Sequence, residues 1–186
     1  MMPVPSHLKG LSVPKDTRAD EAHLDARLQC PCGGERLVFL FHGATHDYQG
    51  HPTPCTGKFD GRWVFVLRVR CVACGRDHLL FDRGSHGWDG FVCHRPELAA
   101  RPRPPLVPWR CGACGRVEHR GTAGVATEGS RDFAEYAPGL PPERWPDGFG
   151  CLTVDIECCA CGHRPDVWVS FETMYRGRTA PGTSLE

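Results

Sequence analysis

The 186 residues carry 22 Lys+Arg against 22 Asp+Glu, with 40% apolar and 24% charged side chains, the balance of one ordinary soluble domain or two small ones. No apolar run nears the ~18 residues of a membrane span, and the N-terminal stretch shows no basic-then-apolar export pattern. The expectation is a cytoplasmic chain without a membrane partner, in which 12 Cys and ten His are an excess that calls for metal or chemistry.

In chain order, residues 1–24 mix Pro, Ser, Lys and Asp with little apolar periodicity and read as a mobile N-terminal segment. Residues 22–28 have room for one or two helical turns. After Cys30-Pro31-Cys32-Gly33 comes an apolar run at 37–41, a strand candidate, and then a loop punctuated by Gly and Asp that carries His42, His46, His51 and Cys55. Asp60-Gly61 marks a turn. Beyond it Phe65, Leu67 and Val69 alternate with Val66, Arg68 and Arg70 up to Cys71-Val72-Ala73-Cys74-Gly75, and 79–81 is a further strand candidate.

Residues 81–94 alternate Gly with aromatic and polar residues. They suit a tight loop stapling Trp88 onto the fold better than a phosphate cradle, since no Gly-x-Gly run opens a helix. Residues 95–108 hold Pro96, Pro102, Pro104, Pro105 and Pro108, a density that stiffens the chain and forbids helix or inner strand. They read as a linker, with a Pro-rich ligand for an SH3-like domain as the sharper alternative. Then come Cys111-Gly112-Ala113-Cys114-Gly115, a possible helical turn or two at 131–136, Asp147-Gly148, the alternating run 152–156, Cys158-Cys159-Ala160-Cys161-Gly162 and a strand candidate at 167–171. Residues 176–186 read as a mobile tail.

The two sides of the linker repeat each other. An Asp-Gly pair stands eleven residues before Cys71 and again before Cys158, and each later knuckle follows an alternating strand. The inner cysteines are separated by 38 residues in the first copy and 43 in the second. The chain therefore reads as a tandem duplication with units at 25–94 and 109–175, each of a size at which a core is often reinforced by metal or disulfide.

Two thiolates one or two residues apart and followed by Gly can face one ion, because the Gly lets the backbone turn with its N–H groups aimed at sulfur. Pairing knuckles within each copy gives Cys30, Cys32, Cys71 and Cys74 as one tetrahedral site and Cys111, Cys114, Cys158 and Cys161 as the other. Buried free cysteines, disulfides, and Cys159 in place of Cys158 are the alternatives. The knuckles and their flanking strands resemble the zinc-ribbon or rubredoxin-like class. That resemblance implies a mainly β fold, two tandem zinc-ribbon-like units with long inserts and little helix, and a metal but no single activity. The first knuckle is one residue tighter than usual, and the inserts are longer than in most small ribbons. All-thiolate sets suit zinc, two per chain, with iron as the minor alternative, and four protein ligands leave no open position, so both sites are expected to be structural.

Four cysteines remain: Cys55, Cys93, Cys151 and Cys159. Cys151 and Cys159 fall at the positions of Val64 and Val72 and read as packing residues. His42, His46, His51, Cys55, Cys93 and His94 are the candidates for a third metal site, and Cys55 or Cys93 for a thiol nucleophile. Trp63 and Trp168 read as core, while Trp109 beside Cys111 is placed to pin the two halves together. Arg68 and Arg70 give the only specific support for nucleic-acid binding, and the neutral formal charge argues against it. The leading functional expectation is a non-enzymatic protein-binding or adaptor module. A metal- or thiol-dependent hydrolase and a transcription-related nucleic-acid binder stand as alternatives.

Overall fold

The computed structural model describes residues 4–14, 23–48, 51–83, 105–126, 150–165 and 168–172. Cys93, His94, Trp88, residues 131–136, Asp147-Gly148 and most of the linker lie outside them, as do the side chains of His51 and Trp63. The described chain is mainly β. After a 3-10 turn at Ser6–Leu8 come β1 (Ser12–Pro14), β2 (His23–Leu28), β3 (Leu37–His42), β4 (Ala44–Tyr48), β5 (His51–Cys55), β6 (Gly57–Phe59) and β7 (Arg62–Val64). They are followed by β8 (Val66–Cys71), β9 (Asp77–Asp82), β10 (Val107–Pro108), β11 (Glu118–Ala126), β12 (Cys151–Cys158) and β13 (Val169–Glu172).

One sheet carries both units. β9, β8 and β3 lie in that order on one side, β11, β12 and β13 on the other, with β3 and β11 antiparallel neighbours. The register is symmetric. Leu37 and His119, each five residues past the second cysteine of a knuckle, pair with each other; Leu37 also faces Cys71 as His119 faces Cys158.

The two short strands that enter the knuckles cross over. β2, leading to Cys30, pairs with β11 of the second unit (Thr122↔Arg27, Ala123↔Ala26), and β10, leading to Cys111, pairs with β3 of the first (Leu40↔Pro108, Phe41↔Val107). These are the same positions counted from the knuckles. A pseudo-two-fold axis between Leu37 and His119 therefore relates the units, and each lends the other a strand.

The core follows from this exchange. Leu24, Ala26 and Leu28 of β2, Phe39 and Phe41 of β3, Leu67 and Val69 of β8, and Leu152, Val154 and Ile156 of β12 are buried side chains of the core. Trp109 is buried at the seam. Its backbone N–H donates to the Phe39 carbonyl at 2.8 Å, and its ring meets Phe41 at 5.8 Å and Trp168 at 5.6 Å edge-on, so it does pin the halves together. A Cβ on Gly121 would stand 2.6 Å from Phe39 Cζ and 3.0 Å from Leu28 Cδ1, so only glycine lets β11 approach that ring.

The expected strands at 37–41, 79–81 and 152–156 are present within β3, β9 and β12. The helical expectation at 22–28 is corrected to the strand β2. The alternation of buried Leu24, Ala26 and Leu28 with exposed or half-buried neighbours has the period of two that suits a half-buried strand, and β11 supplies the ladder. Asp60 and Gly61 both take positive φ (50° and 72°) and turn β6 into β7, the conformation an Asp-Gly pair provides in a two-residue hairpin. The first insert thus folds as two hairpins, β4–β5 and β6–β7, each a separate two-stranded sheet. β10 includes Pro108 and is tolerated because it pairs on one side only.

Two candidate four-cysteine metal centres

Each knuckle is built by the same two backbone hydrogen bonds. In the three of standard length, the N–H of Gly75, Gly115 or Gly162 donates to the carbonyl of the first cysteine at 2.8–2.9 Å. The N–H of that cysteine donates in turn to the carbonyl of Arg76, Arg116 or His163 at 2.8–2.9 Å. The glycine sits at φ 72–73°. The Cys30 knuckle makes the same closure one residue sooner, with Gly33 at φ 85° and Gly34 supplying the second carbonyl. The third anchor also recurs: Val72 N–H donates to the Arg36 carbonyl at 3.0 Å, and Cys159 N–H to the equivalent Glu118 carbonyl at 2.9 Å.

The ends of β8 and β12 bring the knuckles together in pairs. Cys30, Cys32, Cys71 and Cys74 form one group and Cys111, Cys114, Cys158 and Cys161 the other, with all four sulfurs of each within 4.8 Å. The nearest sulfur pairs are 3.6 Å apart in the first group, and 3.6 and 3.7 Å in the second. A tetrahedron of thiolates around an ion at about 2.3 Å has edges of about 3.8 Å, so the spacing fits a four-coordinate metal. A disulfide needs about 2.05 Å, and all eleven described cysteines are free. Cys158 rather than Cys159 is in the group.

Each group has two buried cysteines and two exposed ones. Burial pushes the Cys30 thiol up to about 12, whereas the Arg76 N–H, followed by the neighbouring Cys32 and Cys30 thiols, draws Cys74 down to about 7. In the second group burial raises Cys158, but the N–H groups of Cys161 and Ala160 outweigh it and leave it at about 7. The backbone N–H of His163 lowers Cys161, yet the Cys114 thiol, burial and the other thiols carry it up to about 12. One thiol per group ionises readily and another resists, as expected where four sulfurs share one space; a divalent cation would allow all of them to ionise.

Of the proposed third group, the side chains of His42, His46 and Cys55 are described. His42 ends β3, half-buried, its ring edge-on to Phe59 at 5.9 Å and its pKa lowered by burial. His46 is exposed on β4 opposite Thr53, while Cys55 pairs with Ala44 at the other end of that hairpin. His51 lies on β5 opposite Tyr48. Among the described residues, the groups with metal-binding geometry are the two four-cysteine sets, and none of these residues belongs to them. Burial raises the Cys55 thiol, the opposite of what activates a nucleophile. Arg70 is held by Asp77 at 2.8 and 3.0 Å, so half of the Arg68/Arg70 pair is neutralised within the sheet.

Two histidines escaped the sequence reading. His78 Nε2 lies 3.4 Å from Cys30 Sγ, a contact 48 residues apart that only the β8–β9 register creates. His119 is 1% exposed, with Nδ1 3.1 Å from the Val117 carbonyl and Nε2 without a hydrogen-bond partner. It helps line a cavity of about 240 Å³ with Pro52, Trp109, Ile156 and Pro165 beside the Cys111 knuckle. The repeat alignment was the available signal: His119 stands where the first unit has Leu37. The mainly β fold with its two four-cysteine groups fits a tandem zinc-ribbon-like class, and no family model, no curated protein and no solved structure matches the chain.

Proposed function

We propose that each four-cysteine group holds one structural zinc ion and that the protein is a non-enzymatic binding or adaptor module built from a tandem repeat, with units at 25–94 and 109–175. The observation that carries this reading is the donor set: four thiolates converge in each group, a soft and complete coordination shell that leaves no position for a substrate or an activated water. Bound there, zinc would supply folding energy, tying β3 to β8 and β11 to β12 at their knuckle ends.

The duplication is supported by symmetric pairing about Leu37 and His119. A protein partner is favoured over the thiol-enzyme and nucleic-acid readings by a Cys55 thiol raised by burial and an Arg70 already paired with Asp77. The β4–β5 and β6–β7 hairpins, outside the main sheet, are the surfaces assigned to that partner. Eleven free thiols accord with a reducing compartment such as the cytoplasm.

The test is elemental mass spectrometry on untagged protein, with thiols counted after denaturation and retention on heparin followed against salt. Two zinc per chain and weak, shallow retention are expected. Iron would recast the chain as an electron carrier. A third metal would bring forward His42, His46, His51, Cys55, Cys93 and His94 and the hydrolase reading, while steep salt dependence would favour nucleic acid. Metal-free protein would overturn the proposal.

A further inference from the structure

The first centre differs from the second in how its thiolates are stabilised. A buried thiolate needs hydrogen-bond donors, since a charge taken from water without partners is costly. In the Cys158 knuckle, which has the standard length, the backbone supplies them: two N–H groups, of Ala160 and Cys161, serve Cys158. The Cys30 knuckle is one residue shorter and its intervening residue is Pro31, which has no N–H. The Gly33 N–H is spent on the Cys30 carbonyl at 2.8 Å, so Cys30 receives one backbone donor, from Cys32. Cys30 is nonetheless 1% exposed, with little access to water.

His78 stands where the missing donor would be. β9 leaves the Cys71–Cys74 knuckle and folds back along β8, pairing His78 with Val69, and its Nε2 reaches Cys30 Sγ at 3.4 Å. A metal-bound thiolate carries no proton and can only accept, so the imidazole nitrogen facing it must donate. The position equivalent to His78, four residues past the last cysteine, is Pro165 in the second unit, which offers no side-chain donor.

We propose that His78 is a positioning residue of the first metal centre, its Nε2–H replacing the backbone donor that the shortened knuckle lacks and holding the Cys30 thiolate on the metal. The proposal rests on the zinc reading above. It makes the two centres unequal by design: the first depends on a side chain that many substitutions remove, the second on backbone groups that only substitution by proline removes.

The test uses the full chain loaded with zinc, read by stepwise competition with a chromogenic chelator. His78→Phe removes the donor, and His78→Gln retains a side-chain N–H at similar reach. Loss of a partner to a metal ligand typically costs about 10–100-fold in metal affinity, so His78→Phe is expected to weaken one of the two metals by that factor. The other metal should be unchanged, and His78→Gln should recover most of the loss. With cobalt(II) in place of zinc, the thiolate-to-metal charge-transfer absorption of one site should move to lower energy in His78→Phe, because the sulfur lone pair loses its stabilising donor. Two metals held as in the wild type with an unmoved band would overturn the proposal while leaving the zinc reading standing. Equal weakening of both metals without rescue by His78→Gln would overturn it in favour of a packing role. A wild-type chain that takes up no metal would overturn both readings together.

Discussion

The first unit closes its leading knuckle over one residue fewer than the second, and the consequences run through its neighbours. Gly34, Arg76, Arg116 and His163 occupy the same place, each accepting the N–H of its knuckle's first cysteine. Only in the shortened knuckle is that residue glycine: a Cβ there would lie 2.8 Å from Cys71 Sγ and 3.4 Å from Cys32 Sγ. Elsewhere the units diverge freely. Leu37 becomes His119, Val72 becomes Cys159, and Arg68 and Arg70 become Asp155 and Glu157. What both retain is the cysteines, the positive-φ glycines and the inward apolar alternation, so these are the features that build each four-cysteine group and the strands behind it. Arg36 and Glu118 are equivalent positions too, yet they pair with each other across the axis, Arg36 Nε donating to Glu118 Oε2 at 2.9 Å. Two identical chains meeting there would place like charges together; here the two equivalent positions carry opposite ones.

The comparison breaks most sharply at the cysteines. Cys71→Ser or Cys158→Ser removes one thiol of a four-cysteine group, and a structural zinc held by such a group contributes, in zinc-finger peptides, about 10–16 kcal/mol of apparent binding energy. A domain's whole stability is about 5–15 kcal/mol. If the units were independent, one half would survive each substitution. Because β2 is laddered to β11 and β10 to β3, either substitution is expected to abolish protection in both halves. Hydrogen exchange read strand by strand decides it: full protection of β12 in Cys71→Ser would mean that the shared sheet does not couple the units. Next in size is Trp109→Ala. The ring bridges Phe41 of one unit and Trp168 of the other, and its removal leaves a cavity worth about 3–5 kcal/mol, seen as a lower urea midpoint with one transition retained. Two separated transitions would show that Trp109 alone couples the halves.

Smaller and more local is Gly34→Ala, whose methyl group must displace the Cys71 sulfur of the first four-cysteine group at a cost of about 1–3 kcal/mol of overpacking. It should lower metal occupancy of one centre only, whereas Arg116→Ala at the equivalent exposed position should leave both full. Metal counts per chain after dialysis against a mild chelator compare them, and equal losses would sink the account of the tight knuckle.

The two four-cysteine groups were legible in the sequence because knuckle chemistry is local: two cysteines, a glycine and a carbonyl a few residues on. The strands β3, β8 and β12 were legible from their apolar runs or alternation. The crossed strands were not, since Val107–Pro108 carries no strand signature of its own and becomes one only against Phe41 and Leu40. For the same reason residues 22–28 suit a helix in sequence: seven residues with four apolar side chains fit either a helical turn or a strand until a partner ladder decides. His78 was invisible because its partner lies 48 residues away in the other knuckle.

His119 and Leu37 give the finest contrast, two buried side chains facing each other across the axis, one polar with an unpartnered Nε2 and one not. An unsatisfied buried nitrogen costs about 1–3 kcal/mol, and the first unit shows that the position accepts a leucine. His119→Leu is therefore expected to raise the urea midpoint by an amount in that range. The gain should depend on pH. Burial, the largest influence, lowers the His119 pKa below its ordinary 6.5, outweighing the Val117 carbonyl. The folded imidazole stays neutral where the unfolded one takes up a proton, so the wild type loses stability as pH falls through and below about 6.5. The leucine variant has no such proton to bind. The difference between the two proteins should widen from pH 8 to pH 5.5; a constant difference would mean that His119 is solvated in the folded state, and a loss of stability at pH 8 would mean that its Nε2 has a partner worth more than the leucine's packing.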